Sequence, residues 1–161
     1  MTTIYAEKAA ITQKVEGTYG TDSVPVAGTD ALLVHNLKID PLKNAYVPRN
    51  PVLPFYGNQG QLVAASWAEI SYDVEMAGGG AAGTAPKYAI ALKSCGMAET
   101  VNAGTDVQYA PITTGITSST IYYYEDGVLH KILGALGNVS FDIKAGGDPM
   151  MHFRFLGLHV A

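Results

Sequence analysis

Between Trp67 and Met76 the chain alternates apolar and polar residues without a break. Ala68, Ile70, Tyr72, Val74 and Met76 fall on one face; Trp67, Glu69, Ser71, Asp73 and Glu75 fall on the other. A period of two belongs to a β-strand, and a strand apolar on one side needs a sheet whose other members share that side. Further strands follow the same rule. Val139, Phe141 and Ile143 alternate with Ser140, Asp142 and Lys144, and Met151, Phe153 and Phe155 alternate with His152 and Arg154. In the stretch 31–40, His35, Leu37 and Ile39 oppose Asn36, Lys38 and Asp40. Residues 4–16, 107–112, 119–124 and 128–133 also read as strands, rich in β-branched and aromatic side chains. Asp126-Gly127, between Glu125 and Val128, is the turn chemistry of a tight hairpin.

Only residues 86–95 read as a helix. Tyr88, Ala91, Leu92 and Cys95 have helical spacing, Thr84 offers an N-cap, Pro86 suits the first turn, and Gly96 suits a left-handed end. One helix among several strands predicts a mainly β fold, an antiparallel β-sandwich or barrel with one flanking helix, built as a single domain over residues 1–161.

Residues 41–61 break the pattern. Pro41, Pro48, Pro51 and Pro54 recur there, and proline has no N–H to give to a ladder, so the segment cannot be an interior strand. Val52, Leu53, Phe55 and Tyr56 make it too apolar for a solvated linker. It reads as an extended arm that docks on another molecule.

Composition points the same way. Charged residues are 15% of the 161, against roughly 25% in an ordinary soluble domain. Neutral surface on that scale favours a protein covered by partners. A net charge of −4 offers nothing to attract nucleic acid or anionic lipid. No apolar run reaches the about 20 residues of a membrane span, and the first residues do not resemble a secretory signal. The single cysteine, Cys95, excludes an internal disulfide and fits synthesis in a reducing cytoplasm.

Catalytic chemistry is weakly represented. Gly78-Gly79-Gly80 lacks the spacing of a nucleotide-binding loop. The four histidines, His35, His130, His152 and His159, lack ligand spacing, so neither a metal nor a cofactor is expected. Asn138-Val139-Ser140 matches a glycosylation sequon without a secretion signal to give it meaning. Glu69, Asp73 and Glu75 form an acidic comb whose neighbours lie about 6.5–7 Å apart, within the reach of a glycosidase pair. Only Trp67 shares that face as an aromatic platform, and a solvated sheet face explains the comb more simply. Tyr122-Tyr123-Tyr124 reads as packing before it reads as a platform for sugars. The chain is not expected to be an enzyme.

The sequence resembles the tail tube proteins (major tail proteins) of long-tailed, non-contractile bacteriophages. Seven stretches carry the resemblance: residues 16–22 (EGTYGTD), 56–60 (YGNQG), 70–75 (ISYDVE), 84–97 (TAPKYAIALKSCGM), 123–131 (YYEDGVLHK), 137–142 (GNVSFD) and the closing 153–158 (FRFLGL). None is diagnostic alone; their order and spacing make the match. The extra C-terminal immunoglobulin-like domain of some relatives is missing from the sequence.

The resemblance implies a β-sandwich with one flanking helix, assembled into stacked hexameric rings that form a hollow tube in the virion tail. DNA would meet the protein only in transit, and the tape measure and other tail proteins would be its partners. One sheet of each subunit would join its neighbours around the lumen, which hides edge strands. Glu69, Asp73, Glu75 and Asp142 are then candidates for the lumen wall, and Val52, Leu53, Phe55 and Tyr56 for a contact between rings. Another virion part (a tail terminator, decoration or connector protein) or a carbohydrate-binding β-sandwich are the alternatives.

Overall fold

A computed structural model describes residues 8–54, 56–57 and 60–160. The chain is mainly β, with antiparallel sheets, as its alternation predicts. The strands are β1 (Ala9–Val15), β2 (Ala31–Leu32), β3 (His35–Pro48), β4 (Gln61–Glu75), β5 (Met97–Asn102), β6 (Asp106–Pro111), β7 (Ser119–Glu125), β8 (Val128–Asp142) and β9 (Met150–His159). Two short helices, α1 (Ala27–Asp30) and α2 (Ala89–Ser94), complete the fold. Seven strands form one sheet in the order β2-β1-β7-β8-β9-β4-β3, and β5 and β6 form a separate hairpin.

The large sheet folds back on itself. Three strands separate β1 from β4 in the hydrogen-bonded order, yet the Tyr72 hydroxyl of β4 donates to Gln13 Oε1 of β1 at 2.6 Å. Between the two halves lies one core: Ile11, Ile121 and Ile132 from one side, Ile70, Tyr72, Phe153 and Phe155 from the other. Tyr72 stacks on Phe155 with ring centroids 5.7 Å apart. Each of these large side chains contributes roughly 1.5–3 kcal/mol by leaving water. Helix α2 closes the core with Ala91 and Leu92, as its spacing predicts.

β8 makes the fold-back possible. Its first part pairs with β7 and its later part with β9, and a register shift falls between Leu133 and Leu136. Gly134 sits in that shift with φ +61, so the sequence's two separate strand stretches are one bent strand.

Several expectations are corrected. Pro41 to Pro48 do not belong to a free arm. They extend β3, which tolerates two prolines because it is the outermost strand of the sheet. Between β3 and β4 the described residues outside any strand are 49–54, 56–57 and 60, at the far end of a long β3–β4 hairpin. The face alternation in residues 35–40 breaks at Asn36, whose φ is +50, where the register with β4 shifts. The helix starts at Ala89, not near Pro86. Tyr88 is its N-cap, and Thr84 instead gives its N–H to Ala81 in a turn. Residues 27–30 form the short helix α1. Residues 4–7 of the first expected strand lie outside the described residues.

Candidate functional site: the long hairpin and its polar face

The four lumen candidates occupy one face. Glu69, Asp73 and Glu75 alternate outward along β4, and Glu75 registers with Met150 of β9, which registers in turn with Asp142 of β8. Across the face, Ser71 pairs with Arg154 and Asp73 with His152. On the other side β3 brings Lys38 beside Ser71 and Asp40 beside Glu69.

Three of the four carboxylates carry partners. Glu69 accepts from Arg154 Nε at 2.5 Å and from Lys43 Nζ at 2.7 Å. The guanidinium and ammonium hold its carboxyl down at about 2, against the pull of burial. Asp73 accepts from Asn36 Nδ2 at 2.7 Å and lies 2.6 Å from His152 Nδ1. Burial works to raise the Asp73 carboxyl, but these two hydrogen bonds outweigh it and hold the group below its ordinary range. Asp142 pairs with Lys144 at 2.7 Å. Glu75 is exposed and has no hydrogen-bond or ion-pair partner among the described residues.

The comb is therefore half of a mixed-charge face. The sequence shows the carboxylates but hides their cations, because Arg154 and Lys43 reach Glu69 only through the strand register. A carboxylate held at about 2 by two cations stays ionised near neutral pH, which is the opposite of the raised carboxyl a glycosidase acid needs. Among the described residues no group of three or more His, Cys, Asp or Glu is placed to hold a metal ion. Burial pushes the Cys95 thiol up to about 12, far from nucleophilic.

The tyrosine run is not an exposed platform. Tyr122 and Tyr123 are buried. Tyr123 joins the core, while Tyr122 faces outward beneath the segment after β1 and donates to the Asp22 carboxylate at 2.6 Å. Lys131 lies over the Tyr122 ring and 3.0 Å from Asp22.

The far end of the hairpin is different in kind. Val52 and Tyr56 are fully exposed, and Tyr46, Val47, Leu62 and Val63 are more than half exposed. Leu53 is half-buried. Phe55, the remaining arm candidate, lies outside the described residues. From residue 44 to residue 66 the sole charged side chain is Arg49. No membrane-length apolar helix occurs among the described residues.

No protein-family model matches the chain, and no curated protein matches it in sequence.

Proposed function

We propose that this chain is a self-assembling structural protein of a phage tail, stacking as rings into the hollow tube through which DNA leaves. The observation that carries self-assembly is the hairpin end. Six large apolar side chains stand half or more in water at the tip of a two-stranded projection, in a chain with few charges to keep copies apart. Such a surface is costly unless another surface covers it. The sequence resemblance supplies the kind of assembly.

In this reading the mixed-charge face of β3, β4, β9 and β8 lines the lumen. Its carboxylates are neutralised in part by Lys43, Arg154 and Lys144, so passing DNA meets neither a sticky basic wall nor a strongly repelling one. The opposite face of the same strands supplies each subunit's core.

Electron microscopy of the purified chain tests the proposal. Tubes or stacked rings are expected. Single rings that never stack would favour a terminator or connector protein, and monomers with affinity for glycans would favour a sugar-binding sandwich.

A further inference from the structure

We infer that the hairpin tip of one copy docks into an apolar crevice at the base of the same hairpin in a second copy. The crevice has a volume of about 270 Å³ and is lined by Leu32, Leu33, Val74 and Tyr88, together with the charged Glu75 and Lys87. Leu33 is 84% exposed there, although it is a leucine on the short link between two strands. The inference rests on the self-assembly proposed above and names the surface that receives the tip.

Three observations choose a second copy as the occupant. The first is chemical fit: the crevice is apolar, and the chain's own most exposed apolar side chains are Val52 and Tyr56 at the tip. The second is charge. Arg49 is the one charge on the tip segment, and Glu75, in the crevice lining, is the one member of the acidic comb without a partner among the described residues, whereas the Lys87 ammonium of the crevice already donates to the Thr29 carbonyl at 3.1 Å. A pair between them would give each of these two charges a partner.

The third is geometry. The tip begins where Pro48 registers with Gln61, and the crevice lies where His35 registers with Asp73. At about 3.3 Å per residue the two ends are about 40 Å apart along β4, so a tip cannot reach its own crevice. Donor and acceptor at opposite ends of one rod make a head-to-tail contact. Such a contact does not pair two copies and stop; each copy offers a free tip and a free crevice, so it propagates as an open stack. Glu75 then belongs to the contact between copies and not to the lumen wall.

The test is a chain carrying both Leu33→Cys and Val52→Cys, treated with a short bismaleimide linker after assembly. Both side chains are exposed, so neither change removes core packing. Each single variant also carries the native Cys95 and so controls for any reaction of the linker there. The expected result is a ladder of covalent multimers from the double variant, with at least tenfold less from either single variant. Arg49→Glu should weaken assembly at least tenfold, and Glu75→Arg in the same chain should restore it. Tubes that form but give no ladder would overturn the crevice as the docking site and leave the tube reading standing. Dimers from Val52→Cys alone would show tip-to-tip pairing and overturn it as well. A chain that never assembles would overturn both.

Discussion

Glu16 Oε1 accepts a hydrogen bond from the Gly134 N–H at 2.7 Å, and so pins the segment after β1 onto the bend of β8. The same carboxylate takes Thr120 Oγ1 at 2.9 Å, Ser118 Oγ at 2.6 Å and the Gly20 N–H at 2.9 Å. Glu16 is 5% exposed, and donors rather than a cation hold its charge. Burial works to raise its carboxyl, but the four donors outweigh that and lower it below its ordinary 4.5.

Glu16→Gln should cost about 2–3 kcal/mol, because one oxygen that accepts hydrogen bonds becomes an NH2 group facing donors. Urea unfolding at neutral pH checks the size. The pH dependence has a fixed sign. A lowered carboxyl contributes stability above its unfolded value, near 4.5, and loses it as pH falls through the lower folded value. The gap between wild type and Glu16→Gln should therefore narrow below about pH 4.5. A gap that stays constant down to pH 2 would contradict the cage.

Gly134→Ala should be destabilising by about 1–2 kcal/mol from backbone conformation alone, since φ is +61. A Cβ there would also meet the Tyr19 ring at 2.9 Å. Thermal melts of Gly134→Ala with and without Tyr19→Ala separate the two causes. In the Tyr19→Ala background the penalty should shrink but not vanish.

Leu92→Asp should cost several kcal/mol, because Leu92 is buried in the core and the new charge would have no partner. Loss of the folded near-ultraviolet dichroism, or insolubility, is the expected readout. A variant that folds and assembles like wild type would remove α2 from the core.

The wall is tested by replacing Glu69 and Asp73 together with Lys, leaving Glu75 to its contact between copies. Lys43 and Arg154 then lose their anion, so circular dichroism must first show a folded chain. If tubes form, DNA should leave more slowly at low salt, and the delay should shrink as salt rises. Unchanged ejection from intact tubes would place this face away from the lumen.

Much of the sheet is legible in the sequence, for physical reasons. β4 and β9 show a clean period of two because one face is core and the other polar. The β7–β8 turn is legible because Asp126 and Gly127 must take positive φ, observed at +43 and +89. β5 escaped notice because Met97–Asn102 belongs to a satellite hairpin that buries little and so does not alternate. β3 is hidden by its prolines, whose meaning depends on the strand being outermost. The charged face was half legible: Glu69 and Asp73 are visible on one strand, but Arg154 lies 85 residues from Glu69 and meets it only once the register is known. Glu16 opens the EGTYGTD stretch, yet nothing local says that Gly134 is the group it holds.

The most direct measurement is electron microscopy of the purified chain beside a variant lacking residues 48–56, at matched concentration, with circular dichroism to establish that both are folded. The account predicts long tubes from the full chain and folded particles that form no long tubes from the deletion. Monodisperse monomers from the full chain, or normal tubes from the deletion, would contradict it.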